Sequence, residues 1–578
     1  MREADNSFDT VVIGSGFGGS VTTYRLAEAG QRVCLLERGK AYAPGSFERN
    51  PAGLARAVWD PSEGRHGLFD VWTFRGIDAV VASGLGGGSL IYANVLLRKP
   101  REWFVRELMA DGFEDWPISY DELEPHYDRV EDMIGVNQYP AGHDGFDVVK
   151  AKAFQAAAGG AQYEWSPAPL GVAFAAPGEE PARGRPLPMP RYGNYHDRDD
   201  TNMVRLTCRL CGECDIGCNY GSKNSMDHTY LSRASSMSDI RTRCEVKEIE
   251  ARDGGYVVRY VRHEEDEETG RPARARSLPV REVTAKRVVL AAGALGSTYL
   301  LMRSQRSGLL PGIVAAQPSG PLGTRFSGNG DFFAVALRAR NGDGSPRTLG
   351  ATQGSVITGV ARVPRDADGA PGRRGFYVQD GGYPAFVDWL TEGLGPGLPW
   401  RLVEFGARRF AAWAAGDPNG RLGRDIARLI GPALLTSTSM PLLGMGRDVP
   451  DGRMSLRGRD GRYLGVKWNR RSSRAYVGEL REAMKSISSE LGATYRDSPL
   501  WRYIRRAITV HPLGGAPMGR DSSTGVVDRY GQAFGQDGLF VVDGAAMPGA
   551  IGPNPALTIA AYADWVSEAI IDGRTARR

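Results

Sequence analysis

Phe8 to Ile13 is an apolar run rich in Val and Ile, and it leads into Gly14-Ser15-Gly16-Phe17-Gly18-Gly19. A helical stretch follows to Ala29-Gly30, then a second apolar run, Arg32 to Leu36, which ends on Glu37. Strand, G-x-G-x-x-G, helix, strand and acid in that order are the fingerprint of a dinucleotide-binding βαβ unit. Gly14 makes the tight turn, Gly16 lets a pyrophosphate approach, and Gly18-Gly19 let the helix pack on its strand. Ser15 sits at the turn. Glu37, with Arg38 beside it, is placed to accept from a ribose hydroxyl. The glycine pattern alone is weak; its flanking elements make it specific. It does not separate NAD from FAD.

A second glycine run, Ser83-Gly84-Leu85-Gly86-Gly87-Gly88-Ser89-Leu90-Ile91-Tyr92-Ala93-Asn94, has little side chain to pack. A flexible loop is the plain explanation. The apolar flanks Ala79–Ala82 and Leu90–Leu97 favour an ordered backbone lying against a flat ring. Gly84, Gly87, Gly88, Ser89, Tyr92 and Asn94 are then cofactor candidates. Arg243 to Ile249 alternates like a strand and places Val246 beside an adenine. Arg287 to Ala292 reads as a buried strand that opens a helix through Gly293-Ala294-Leu295-Gly296-Ser297-Thr298. The acidic run His263 to Glu268 reads as a solvated excursion.

The segment His511 to Ile559 has the same organisation. Leu539 to Val542 is a short buried strand, closed by Asp543-Gly544. Pro555 to Ile571 has helical length with Pro near its first position. A strand tip thus presents Asp543, and a helix begins right after Asn554. Free N–H groups at a helix start favour negative charge. His511 stands among glycines that let a ligand come close.

The chain has 578 residues, enough for two domains or one large composite unit. Lys+Arg number 72 against 67 Asp+Glu, for a net charge of +5, with no concentrated basic patch. That balance argues against a nucleic-acid partner. No apolar run reaches spanning length. The short polar start before Phe8 leaves no room for a signal peptide, so the expected location is cytoplasmic with reduced thiols. Two apolar stripes follow in the later half. Leu402, Val403, Phe410, Trp413 and Ala414 form one; Ile426, Leu429, Ile430 and Leu434 form the other. Both have arginines nearby. They suit peripheral contact with a membrane surface or a greasy substrate, or, more simply, packing over a sheet.

Four of the six cysteines fall within eleven residues, Cys208, Cys211, Cys214 and Cys218, spaced C-x2-C-x2-C-x3-C. This is the spacing of an iron–sulfur run, with Asn219 where Pro often follows. Four empty thiols in a packed turn and a tetrahedral zinc site are the other readings, although zinc more often takes two separated knuckles. Cys34 and Cys244 lie in apolar surroundings and read as core.

Taken together, Gly14–Gly19 with Glu37, Gly84–Asn94, Gly293–Ser304, and His511 through Asn554-Pro555 resemble the glucose–methanol–choline (GMC) oxidoreductases, within them the cholesterol-oxidase-like members. The resemblance covers most of the chain. It implies an α/β fold: a Rossmann-like FAD-binding domain built from discontinuous segments (1–110, 204–325, 505–578), plus an α+β substrate domain (111–203, 326–504) with a large, mostly antiparallel sheet. It implies FAD rather than NAD, and His511 and Asn554 as the catalytic pair. Asp543 and Gly544 would lie near the flavin ribityl chain, Pro555 at the helix start facing the ring, and either Tyr92 or Asn94 at the flavin edge. The expected reaction is oxidation of a CH–OH group of an apolar, sterol-like alcohol by hydride transfer to the flavin. Oxygen or an electron-acceptor protein would reoxidise it. A dehydrogenase passing electrons through an iron–sulfur cluster, a non-oxidative lyase or decarboxylase, and a flavoprotein with a closed pocket are the alternatives. The four-cysteine run is similar to the region where some sugar dehydrogenases of this family hold a cluster.

Overall fold

A computed structural model describes residues 6–574 apart from 109–111, 188–203, 253, 264–277, 317–318, 364–373, 386, 388–402, 405, 408–409, 411–433 and 505. Two sheets organise it. The first has seven strands: Ser7–Ile13, Val33–Leu36, Asp239–Arg241, Cys244–Arg252, Gly255–Arg262, Val280–Leu290 and Leu539–Val541. Ser7–Ile13 lies between Val33–Leu36 and Val280–Leu290 and is parallel to both, with Val11 opposite Cys34 on one side and Val288 on the other. Val11, Val12, Cys34, Leu35, Val288 and Val289 are all buried. Covered on both sides, such strands read as continuous apolar runs rather than alternating ones.

Val280–Leu290 serves two neighbours along its far edge. Its first half pairs antiparallel with Gly255–Arg262, and its end, Val288–Leu290, pairs parallel with Leu539–Val541. This edge brings the C-terminal segment beside the first βαβ unit. The helix Phe17–Glu28 packs on the helix Ala556–Asp572, so the first and last helices of the chain meet over one sheet.

The second sheet has six antiparallel strands, ordered Glu164–Pro167, Gly359–Arg362, Phe376–Asp380, Met440–Gly446, Phe332–Leu337 and Thr494–Asp497. Helices Val149–Gly160 and Arg474–Glu490 cover one face, where Phe154, Leu480, Met484 and Ile487 meet Phe332, Phe376 and Leu442. Side chains alternate along a strand. With Phe376 and Val378 in that core, Tyr377 and Gln379 project from the opposite face.

A smaller sheet pairs Ile77–Ala82 with Phe69–Phe74 and with Ala507–Thr509. It fixes the backbone two residues before His511. Cys34 and Cys244 are buried, as their apolar contexts predict. Most of both apolar stripes lies outside the described residues. Val403 and Phe410, which are described, are 62% and 66% exposed, so these two side chains do not pack over a sheet. Most of the 263–268 excursion is also outside. His263 itself departs from the solvated reading: it is buried, bonded to Glu245 Oε2 at 2.8 Å, and its ring meets Trp59 edge-on.

Candidate active site

The first glycine turn is shaped by what surrounds it. Gly14 has φ +96°, and a Cβ there would lie 2.5 Å from Ala291 O. Cβ atoms at Gly18 and Gly19 would lie 2.1 Å from Val542 O and 1.9 Å from Gly14 O. At Gly16 a Cβ would meet nothing within 4 Å. Three of the four glycines therefore serve backbone contact, while Gly16 borders open space. Ser15 ties this turn to the second glycine run: Gly86 N–H donates to its Oγ at 3.0 Å. Gly87 has φ +54°, and its Cβ would fall 2.6 Å from Gly16 Cα; at Gly88 the space is again open. Ser89 Oγ, accepting from Met226 N–H at 3.0 Å, pins the far end of the run, while at Gly84 a Cβ would strike Leu90 and Tyr42.

Glu37 is buried at the end of its strand. One carboxylate oxygen accepts from Ser15 N–H and Oγ at 3.0 and 2.6 Å, the other from Gly39 N–H at 2.8 Å. A carboxylate has about four lone-pair sites, so one is left for a ribose hydroxyl. Arg38 turns aside instead, paired with Asp70 at 2.7 Å and lying over the Trp59 ring. Val246 is buried on Cys244–Arg252 at a bulge.

Asn94 supplies the sharpest sign of a missing ligand. It is wholly buried, holds φ +69°, and among the described residues neither its amide nitrogen nor its amide oxygen has a partner. The Tyr92 hydroxyl is buried and also without a partner among the described residues, with its ring edge-on to Phe17 at 5.3 Å. Leaving such groups unpaired costs about 1–3 kcal/mol each. A ring edge carrying both donors and acceptors would satisfy them. The open glycine faces, the free Glu37 site and the orphaned Asn94 amide together fit a flavin dinucleotide.

Asp543 follows the Leu539–Val541 strand and is occupied by protein. Its Oδ2 accepts from Gly293 N–H at 2.9 Å and Ser297 Oγ at 2.5 Å, its Oδ1 from Ala545 N–H at 2.8 Å. It joins the strand tip to the start of helix Gly293–Arg306 and to the Gly544–Ala546 turn. Burial pushes its carboxyl up to about 6.

His511 Nδ1–H donates to Asp331 Oδ1 at 2.8 Å, and Thr509 Oγ–H and Val510 N–H donate to the other oxygen at 2.8 and 3.0 Å. With Nδ1 carrying the proton, Nε2 is the free acceptor. Asn554 is buried, and its Oδ1 accepts from Gln379 Nε2 at 2.7 Å. That bond directs its amide nitrogen away from the sheet, as a donor. The helix that follows starts at Ala556, with Pro555 at its cap supplying no side-chain capping hydrogen bond.

One turn holds both loops. Asn329 brackets the second: its Oδ1 accepts from Gly552 N–H at 2.8 Å and its Nδ2 donates to Pro553 O at 3.0 Å. Two residues later Asp331 holds His511. Lys99, fully buried, donates to Ala550 O and Ile551 O at 2.9 and 2.8 Å. Burial drives its ammonium well below the usual lysine range. Asp331, Gln379, Asn329 and Lys99 all escape sequence reasoning. Gly328-Asn329-Gly330-Asp331 is legible as a turn, but nothing local says what it holds.

The four cysteines Cys208, Cys211, Cys214 and Cys218 line one cavity together with Tyr220 and Lys223, and all are free thiols. Among the described residues, no three His, Cys, Asp or Glu side chains converge closely enough to hold one metal ion. Asn219, in place of Pro, pairs with the Phe47 backbone in both directions at 3.0 Å.

The fold and cradle define an FAD-dependent oxidoreductase. Residues 9–196 match the family model of FAD dependent oxidoreductases, and residues 198–310 and 451–563 match the two models of GMC oxidoreductases. Cholesterol oxidase of Mycobacterium tuberculosis (strain CDC 1551 / Oshkosh) is 32% identical, over 96% of this chain and 90% of that protein. Cholesterol oxidase of Acinetobacter baumannii is 26% identical over 96% and 93%. The crystal structure of pyridoxine 4-oxidase from Mesorbium loti superposes with a TM-score of 0.55 at 17% identity, covering 98% of this chain and all of that one. The chain belongs to the GMC oxidoreductases.

Proposed function

We propose that this protein oxidises the CH–OH group of an apolar, sterol-like alcohol, with His511 and Asn554 at the reacting oxygen. The observation that carries it is the Asp331–His511 bond, which turns Nδ1 to the carboxylate and leaves Nε2 facing away from it. His511 Nε2 takes the hydroxyl proton as general base. Asn554, held by Gln379, donates its amide hydrogen to the same oxygen. FAD, when bound, supplies the hydride acceptor. Gly16, Gly88 and Glu37 would hold its dinucleotide part and Asn94 its ring edge. Pro555 leaves a free helix start, where reduced-flavin charge is stabilised. Support for an apolar substrate comes from the two cholesterol oxidases. Oxygen or an electron-acceptor protein, the latter reached through the cysteine site, takes the electrons. We place the protein in the cytoplasm, where its six free cysteines stay reduced. The two sheets support a division into FAD-binding and substrate segments at the boundaries read from the sequence. No observation favours a lyase, a decarboxylase or a closed-pocket flavoprotein.

His511→Ala should bind FAD at about one per chain yet lower the anaerobic rate of flavin reduction by an apolar secondary alcohol by roughly 10²-fold or more. Flavin bleached by alcohol at the original rate in that variant would remove His511 from the mechanism.

A further inference from the structure

The turn Ser327-Gly328-Asn329-Gly330-Asp331 carries the supports of both catalytic side chains, and its backbone is costly to hold. Asn329 has φ +54° and Gly330 φ +66°, two left-handed residues in a row. That region is disfavoured for a residue with a Cβ. At Gly330 no Cβ fits at all: it would lie 2.4 Å from the Tyr476 hydroxyl and 2.7 Å from Gly446 O. Turns of this kind aim successive backbone N–H groups into one concavity, which favours an anion.

The anion here is a side chain of the chain itself. Asp448 is 1% exposed, and its Oδ2 accepts from Gly328 N–H at 3.1 Å. Its Oδ1 accepts from Ser327 Oγ–H, and Gly330 N–H is also bonded to the carboxylate. Ser327 Oγ in turn accepts from Asn329 N–H at 3.0 Å. Other bonds fix where the turn lies: Asn329 O accepts from Gly446 N–H at 3.1 Å, and Gly330 O from the Tyr476 hydroxyl at 2.9 Å. The carboxylate fixes its shape, because it gathers Ser327, Gly328 and Gly330 at one point. Asn329 faces the other way, onto Gly552 and Pro553, and Asp331 onto His511. Asp448 itself follows the strand Met440–Gly446, which pairs Leu443 with Gln379. The second sheet therefore reaches Asn554 directly through Gln379, and both catalytic loops through Asp448.

We propose that Asp448 is a positioning residue for the oxidation: through this turn it sets Asp331 against His511 and Asn329 against the Asn554 loop, so that one buried carboxylate registers both catalytic side chains. It acts on them through the turn, without itself meeting the reacting atoms. The inference rests on His511 and Asn554 being the catalytic pair. Misplacing a reacting group by about 1 Å costs about 10²-fold in rate, so a small relaxation of the turn is felt in the chemical step before it is felt in binding. A carboxylate that served stability alone would not single out that step.

The test is a set of mutant cycles on the full, FAD-loaded chain, read as the anaerobic rate of flavin reduction by an apolar secondary alcohol. Asp448→Asn keeps the size and one acceptor but removes the charge. It should lower the limiting rate about 10- to 100-fold, with FAD at about one per chain and the half-saturating alcohol concentration changed less than about 3-fold. In a His511→Ala background the same change should cost less than about 3-fold, and in an Asn554→Ala background less than in the unmodified chain, because the group it positions is gone. No loss in the unmodified chain, or an equal fold-loss in all three backgrounds, overturns the proposal. If Asp448→Asn does not fold, Ser327→Ala takes its place. It removes one bond to the carboxylate and should cost about 3- to 10-fold, with the same dependence on background. The single variants report separately on the catalytic pair. His511→Ala and Asn554→Ala that both reduce flavin at the original rate would remove the pair and this role with it. Slow single variants combined with an additive Asp448→Asn would leave the pair standing and remove the role alone.

Discussion

At the scale of single residues, the site depends on which polar atoms are spoken for. Asp331 is committed to His511, Thr509 and Val510, so it acts by orienting the imidazole. Asp331→Asn should keep FAD but lose roughly 10²- to 10⁴-fold in kcat with little change in KM, as a mis-set tautomer does elsewhere. Unchanged turnover in the variant would show that the imidazole needs no such partner. Asn94 is the reverse case, its two amide atoms buried with nothing to bond. Asn94→Gly keeps the left-handed backbone and deletes both orphans. The cofactor-free protein should melt no lower than the original, while FAD binds about 10-fold more weakly. A fall in apo stability with FAD affinity intact would mean the amide serves the protein rather than the ligand.

At the scale of elements, two glycines two residues apart have opposite jobs. Gly16 at the start of the Phe17–Glu28 helix borders empty space, whereas Gly18 presses on Val542 O. Gly16→Ala should leave the apo melting temperature within about 2 °C and weaken FAD binding at least about 10-fold. Gly18→Ala must push the helix off the C-terminal strand and should cost about 3 kcal/mol or more, read as a lowered melting temperature even without flavin. Equal effects of the two changes on apo stability would refute this separation. The helix Tyr120–Ile134 shows how local signals set an element: Ser119 and Glu122 form a reciprocal capping box, and Gly135 at φ +67° ends it.

For the whole molecule, the decisive feature is a set of buried polar joints between distant segments. Asp543 joins the last strand to the Gly293–Arg306 helix, and Asp448 accepts from Gly328 N–H beneath the turn that holds both catalytic loops. Burial pushes both carboxyls up to about 6 from an ordinary 3.8. A carboxyl raised in the folded state favours folding while protonated. That contribution is complete below the ordinary value and is lost as pH rises through about 6. Each group is worth on the order of 3 kcal/mol at most. The apo melting temperature should therefore fall between pH 4 and 6.5 more steeply in the unmodified chain than in Asp543→Asn, which keeps an acceptor but cannot titrate. Parallel profiles would show that Asp543 carries no such linkage.

The sequence by itself determined the elements whose signals are local. The Ser7–Ile13 strand, its glycine turn, the Phe17–Glu28 helix and Glu37 are adjacent in the chain. So are the Leu539–Val541 strand, Asp543 and the Ala556–Asp572 helix. Periodicity and glycine placement suffice there, because each residue's role is fixed by near neighbours. The tertiary structure alone decided what those elements are held by. Asp331 lies 180 residues from His511 and Gln379 lies 175 from Asn554. Hydrogen bonds across such separations leave no periodic trace, since any polar residue brought there by the second sheet would look the same in the chain. Lys223 is a similar case: it stands five residues past Cys218, and only folding buries it between the cysteine loop and the glycine run.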